Sequence, residues 1–239
     1  MKRLVVYTCV TGGYDSPARP SVLPDWADYV CFDGSLAPSG LDSTQRSRYH
    51  KLNPHLVLPE GYEYSLWIDG NIDILSDGLY EKLQQMMDSG ALYAGIHHPQ
   101  RDDVFDESVR IIMNDRESFG RLLKVTRFLK KEGMPRHWGL DETNVILRKH
   151  NASEVVRFDE FWWEMLSRWT SRDQMTQSYC LWKTGLRHEY ILPEGQSAQN
   201  SPWFKYTRHG SIYVKDRTLK GRWRDAVRAA KVALYKIIL

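Results

Sequence analysis

The chain has 239 residues, 42% apolar and 12% aromatic, with a net charge of +3. That length and composition suffice for one large α/β domain with a full core, and no apolar run of about 18 residues is present to span a bilayer. Three scattered cysteines, Cys9, Cys31 and Cys180, argue against a disulfide framework and for a reducing compartment. The charge is unevenly placed. Residues 215–239 hold eight Lys/Arg against two Asp, a net of +6, so the remaining chain carries −3.

In chain order, Arg3–Val10 reads as a first strand, nearly all apolar as expected for a strand covered on both faces. It stops at Thr11-Gly12-Gly13 without a small-residue cleavage pattern, which favours a core strand over a signal peptide. A second strand is expected near Asp28–Phe32, a helix over Ser43–Val57, a strand over Tyr64–Ile68 and a helix over Leu79–Asp88. Strand Leu92–Ile96 follows. Helical periodicity then runs over Phe105–Lys131 and ends at Gly133-Met134-Pro135. Strand Asn144–Arg148, helices Ser153–Trp169 and Asp173–Thr184, and strand Arg187–Ile191 complete the body. The alternation predicts a layered α/β fold with a largely parallel sheet, which binds ligands beyond the carboxyl ends of its strands.

Two segments fall at such ends. The first is Thr11-Gly12-Gly13-Tyr14, which lacks phosphate-loop spacing. It reads either as a plain turn or as backbone that holds a nucleoside, with Tyr14 as a stacking face. The second is Trp67-Ile68-Asp69-Gly70-Asn71-Ile72-Asp73. If the strand continues, Asp69, Asn71 and Asp73 share one face; if Gly70-Asn71 breaks it, the segment is a turn. Oxygen ligands of this kind suit Mn²⁺ or Mg²⁺, ions that complete their shell with phosphates and water. Arg46, Arg48 and Lys51 put three cations within two helical turns, Arg48 and Lys51 on one face, an arrangement suited to a diphosphate or simply a solvated basic face. Asp141 and Glu142 form a carboxylate pair that can orient or deprotonate a hydroxyl, or cap a turn. His98 and Arg101, after a buried strand, and Trp163 within Phe161-Trp162-Trp163-Glu164 are candidate acceptor contacts, weighed against structural roles.

Taken together, Arg46–Tyr49, Lys51-Leu52-Asn53-Pro54-His55, Trp67–Ile72, Gly139-Leu140, Glu142–Arg148 and Arg172-Asp173-Gln174 resemble a known domain. It is the glycosyltransferase-like domain of plant mucilage-related and turgor-regulation-defect proteins, with bacterial relatives in polysaccharide clusters. The resemblance spans about Leu4 to Arg187. It implies a GT-A-like Rossmann-type sheet, mixed but mainly parallel and flanked by helices, over residues 1–214. It also implies a nucleotide-sugar donor, UDP-linked by preference, a divalent cation (Mn²⁺ or Mg²⁺), and a glycan or lipid-linked glycan acceptor. The Asp-X-Asp metal motif of such enzymes would be Asp69-Gly70-Asn71, an asparagine standing last, so that Asn71 or Asp73 completes the site. Asp173-Gln174 would face the donor sugar as in retaining enzymes, and His209 would supply a further metal ligand. Retention or inversion stays open. So do a ceramidase-like lipid amide hydrolase and a non-catalytic glycan-binding module.

Residues 219–239 form a basic amphipathic helix with Leu219, Trp223, Ala226/Val227, Ala230, Leu234, Ile237 and Ile238 on one stripe. It reads either as an interfacial anchor, giving a cytoplasmic protein peripheral on the membrane, or as a helix packed on the body. No RNA- or DNA-binding motif accompanies its charge.

Overall fold

The structure is a computed structural model that describes residues 3–13, 19–207 and 218–238. Strand β1 (Leu4–Cys9) is buried along its whole length and sits between β2 (Ala27–Phe32) and β3 (Tyr64–Ile68), both parallel to it. Beyond β3 come β6 (Asp141–Arg148), β5 (Tyr93–His97) and the short β7 (Glu189–Tyr190), giving the order β2-β1-β3-β6-β5-β7. β6 runs antiparallel to both its neighbours, while β7 is parallel to β5. Five strands therefore share one direction and β6 opposes them, as a mixed, mainly parallel sheet requires.

Alternation of side chains across the strands divides the core in two. Tyr7, Cys9, Trp67, Tyr93 and Ile146 face a layer built from α1 (Ser43–Leu52), α4 (Val104–Met113), α5 (Phe119–Lys131), α6 (Ser153–Trp169) and α7 (Gln174–Thr184). Leu4, Val6, Leu66, Ile68, Ala94 and Leu147 face α3 (Asp77–Asp88) on the other side. A second small sheet pairs β4 (Ile72–Ile74) with β8 (Phe204–Tyr206) in antiparallel fashion and packs into this second layer.

Several boundaries differ from the periodicity. The helix expected over Ser43–Val57 breaks at Asn53, whose φ of −130° and ψ of 52° lie outside the helical region, and restarts as α2 (Pro54–Val57) with Pro54 at its first position. A proline ring disfavours helical geometry in the residue before it and tolerates only the first turn of a new helix. The stretch Phe105–Lys131 divides into α4 and α5 because Asn114 caps one helix, Asp115 takes a positive φ of 48°, and Ser118 caps the next. The strand expected at Asn144 begins three residues earlier, at Asp141. The last expected strand shrinks to two residues. β4 and β8, three residues each, are too short to carry a readable period.

A buried ion pair anchors the first layer. Arg148 and Asp159 are both fully buried, with Nε 3.2 Å from Oδ1. Arg148 Nη1 also donates to the Lys51 carbonyl at 2.7 Å and to the Tyr7 hydroxyl at 3.2 Å, while the guanidinium lies over the rings of Tyr93 and Trp162. Removing one partner leaves a buried charge uncompensated. Arg148→Met should therefore cost about 3–5 kcal/mol in urea unfolding. The double variant Arg148→Met/Asp159→Leu should recover much of that loss, since neither charge then needs desolvation. A single variant with wild-type stability would contradict the anchor.

Candidate active site

The reversal of β6 decides where the site lies. The carboxyl ends of β1, β3 and β5 share one sheet edge, and because β6 is antiparallel its amino end, Asp141-Glu142-Thr143-Asn144, arrives at that same edge. The amino terminus of α7, carrying Asp173 and Gln174, closes over it. Between them opens a cleft of about 670 Å³ lined by Asp69, Glu142, Asn144, Asp173, Gln174 and a group of arginines.

Asp173 is the N-cap of α7 and is buried. Its Oδ2 accepts from Lys51 Nζ at 2.6 Å and from Thr143 Oγ1 at 2.9 Å, with Arg48 Nη1 at 3.1 Å. Burial alone would raise its pKa, but Arg48, Lys51 and Arg172 outweigh that effect and hold the carboxyl well below the usual range. The group stays charged and is a weak base. Lys51 is fully buried. Its ammonium bridges Asp173 and Asp69, the second at 3.3 Å, and burial lowers its pKa against the pull of both carboxylates. It joins two acidic groups from below and is not exposed to a phosphate, a correction to the role read from the cationic helix face. Arg46 departs from that role as well, because its Nε donates to the Leu41 carbonyl and the residue is absent from the cleft wall.

Asp69 does not continue the strand. A turn closed by Ile72 N–H to the Asp69 carbonyl, at 2.9 Å, separates β3 from β4, so Asp69, Asn71 and Asp73 do not share a strand face. Asp69 Oδ1 accepts from Trp67 Nε1 at 2.8 Å and from Lys51, while Oδ2 makes no hydrogen bond among the described residues. Asp73 is committed elsewhere: its carboxylate binds Ser21 N–H at 2.7 Å and Ser21 Oγ at 2.6 Å. Asn71 Nδ2 donates to the Thr207 carbonyl at 2.8 Å, leaving its Oδ1 unused among the described residues. Gly70 belongs to the turn.

The carboxylate pair on β6 splits because adjacent strand residues face opposite ways. Asp141 is buried toward Gln177 and Tyr93, burial pushing its pKa up to about 7, and it does not line the cleft. Glu142 does line it. Burial chiefly, with the nearby Asp69 charge, raises its pKa, while its Oε2 accepts from Ala198 N–H and Asn144 Nδ2, each at 3.3 Å. Asn144 Oδ1 is buried with no hydrogen-bond partner among the described residues. Gln174 lines the cleft and its Nε2 donates to the Asp141 carbonyl at 3.0 Å.

Among the expected acceptor contacts, His98 and Arg101 lie on the cleft wall. Arg101 pairs with Glu107 at 2.6 Å and its Nη2 lies 2.8 Å from His98 Nε2, while His98 Nδ1 accepts from the backbone N–H groups of Gln100 and Arg101 at 3.2 and 3.1 Å. Burial and the Arg101 charge push His98 down to about 4, so it is neutral near pH 7. Trp163 does not line this cleft. It packs edge-on to Tyr49 and borders a separate hollow beside Arg121, which removes it from the acceptor side. Thr11 Oγ1 donates to the Ser43 carbonyl, and the residue packs on Gly34 so tightly that a Cβ there would lie 2.7 Å from Thr11 Cγ2. Gly12 and Gly13 form a turn with φ near +70°, at 68° and 69°. Tyr14 and His209 lie outside the described residues.

Three cleft arginines carried no readable site role beforehand or only a motif position: Arg110, Arg116 and Arg172. None forms an ion pair among the described residues, and Arg172 interacts electrostatically with Asp173, Arg48, Arg116 and Glu107. Arg110 and Arg116 come from opposite sides of the α4 terminus. Nothing in their spacing marks them, since isolated arginines on a helix end are ordinary.

As for a cation, no group of three or more His, Cys, Asp or Glu side chains arranged to hold a metal ion by themselves occurs among the described residues. The oxygens of Asp69, with the neighbouring Asn144 Oδ1 that has no hydrogen-bond partner among the described residues, nonetheless fit a hard divalent ion that takes most of its shell from phosphates and water.

Comparison with known proteins matches these residues to a family. The profile "TOD1/MUCI70, glycosyltransferase-like domain" covers residues 40–193. The "Probable hexosyltransferase MUCI70" of Arabidopsis thaliana is 29% identical over 146 residues, which are 57% of this chain and 25% of the plant protein. The chain thus spans a quarter of that relative's length. The apo crystal structure of mouse xyloside xylosyltransferase 1 aligns with a TM-score of 0.45 at 11% identity, over 69% of this chain and 62% of the mouse chain. The cleft residues from Arg48 to Gln174 fall inside the matched segment, and the chain belongs to the TOD1/MUCI70 glycosyltransferase-like domain family.

Proposed function

We propose that the chain is a glycosyltransferase that moves a sugar from a nucleoside diphosphate, UDP by preference, to a glycan or lipid-linked glycan. Family membership supports transfer chemistry in general. The observation that carries the finer reading is the polarity of the cleft: Asp69, one of whose oxygens makes no hydrogen bond among the described residues, sits in a wall that also presents Arg110, Arg116 and Arg172, none of which forms an ion pair among those residues. A diphosphate needs both a cation and fixed positive charge, and this cleft can supply both.

Asp69, Asn71 and Asn144 would hold Mn²⁺ or Mg²⁺, which neutralises phosphate charge when bound. The chain's own residues do the rest. Arg172 and its neighbours take the phosphate oxygens and stabilise the charge that grows there as the glycosidic bond breaks. Asp173, kept ionised by the neighbouring Arg48 and Lys51 and held by Lys51 and Thr143, stabilises positive charge developing on the sugar ring. Gln174 beside it orients sugar hydroxyls. Glu142, whose pKa is raised, is the carboxylate placed to take a proton from an acceptor hydroxyl if the reaction inverts. His98 and Arg101 border the acceptor.

Calorimetry with UDP, GDP and CDP, with and without Mn²⁺, tests the donor site. One nucleotide should bind in a metal-dependent manner, and Asp69→Ala should abolish that binding while retaining cooperative unfolding. Absence of nucleotide binding under every metal would overturn the transferase reading. Arg172→Met should weaken the diphosphate by about 1.5–3 kcal/mol and the corresponding nucleoside far less. Equal losses for both would assign Arg172 a structural role. Because the Glu142 pKa is raised, base catalysis would show an acid limb in kcat/KM above the ordinary carboxylate range, activity falling as pH drops. Glu142→Gln should remove that limb and lower kcat about 100-fold; an unchanged profile would exclude Glu142 as the base.

A further inference from the structure

Helix α8 (Leu219–Ile238) has two different faces, and the body of the protein uses one of them. Gly221 and Tyr235 are buried, Val232 packs into the first core layer, and the Tyr235 hydroxyl hydrogen-bonds Ser108 on α4. Arg228 joins the same side through Asp115, at 2.6 Å. At about 100° per residue, these positions fall together along one side of the helix. Roughly 180° away lie Leu219, Trp223, Ala226, Ala230, Leu234 and Ile237. Leu219 is 83% exposed, Trp223 71%, Ile237 82% and Leu234 48%, values normal for charged side chains and costly for these. The apolar stripe evident in the sequence is therefore not the stripe that docks the helix.

The flanks of this outward face are basic. Arg222 and Lys236 border one side, Lys220 and Arg224 the other, and the helix's one acidic residue, Asp225, lies toward the docked side at 3.3 Å from Arg228. We propose that α8 lies flat on an anionic lipid bilayer, its outward stripe among the acyl-chain boundary and its basic flanks among the headgroups. No helix among the described residues is long and apolar enough to cross a membrane, so the contact is interfacial. A second copy of the chain fits this face poorly. Laying two such stripes together sets cationic flanks against cationic flanks in either orientation, whereas anionic headgroups complement both flanks at once. α4 separates α8 from the cleft: Ser108 and Asp115 meet α8 while Arg110 and Asn114 line the cavity. A bilayer under α8 thus lies one helix away from the cleft wall.

Vesicle flotation with the full chain tests this. Vesicles of phosphatidylcholine and phosphatidylglycerol should carry the protein upward, and pure phosphatidylcholine vesicles should carry much less. Trp223→Glu/Ile237→Glu alters only outward positions and should abolish flotation without shifting Tm. Arg222→Gln/Lys236→Gln should weaken binding about 25-fold, roughly fivefold for each cation removed. No flotation of the wild-type chain would overturn the proposal. So would equal binding by the Trp223→Glu/Ile237→Glu variant, or a dimer in sedimentation velocity that this variant disrupts without any vesicle binding.

Discussion

The site depends on one buried ammonium. Lys51, without solvent exposure, reaches Asp173 at 2.6 Å and Asp69 at 3.3 Å, joining the end of β3 to the start of α7 through α1. Its backbone is held in turn, because its carbonyl accepts from Arg148, itself paired with Asp159 in the first core layer. Two carboxylates brought this close repel one another unless a cation sits between them. Lys51 supplies it, and its ammonium also lies over the Trp67 ring, 5.6 Å from the centroid. The core anchor and the cleft are consecutive parts of one chain of polar contacts running from the interior to the mouth of the pocket.

The reversed strand is the second constraint. In an all-parallel sheet, the amino end of β6 would lie at the far edge, away from the ends of β1 and β3. Antiparallel pairing brings Glu142, Thr143 and Asn144 beside Asp69. Alternation along that strand then sends Asp141 into the core and Glu142 into the cleft. A pair that looks symmetrical in the sequence thereby divides into a structural acid and a functional one.

Much of the architecture was legible because apolar runs and helical periods report burial directly. β1, β2, β3, β5, α6 and α7 lie where their patterns place them, within a few residues. What escaped was set by tertiary pairing. The direction of β6 leaves no trace in its own composition, and β4 and β8 are too short to show alternation. In the site, Asp69, Glu142, Asp173, Gln174, Arg48, His98 and Arg101 do converge on one cavity. Asp73 escapes because Ser21, far away in sequence, captures its carboxylate, and Lys51 because burial turns a phosphate ligand into a strut. The cleft arginines on and after α4 became visible only once the helix was placed. For α8 the amphipathic stripe was readable, but a second face, with Tyr235 and Arg228, does the docking.

The central claim is that Asp69 and the cleft arginines Arg110, Arg116 and Arg172 form one diphosphate-cation site. The most direct measurement is a crystal structure with UDP and Mn²⁺, the ion located by its anomalous scattering. The account predicts manganese beside Asp69 with the diphosphate between it and Arg172. Manganese absent from the cleft, or a nucleotide bound away from Asp69, would contradict it.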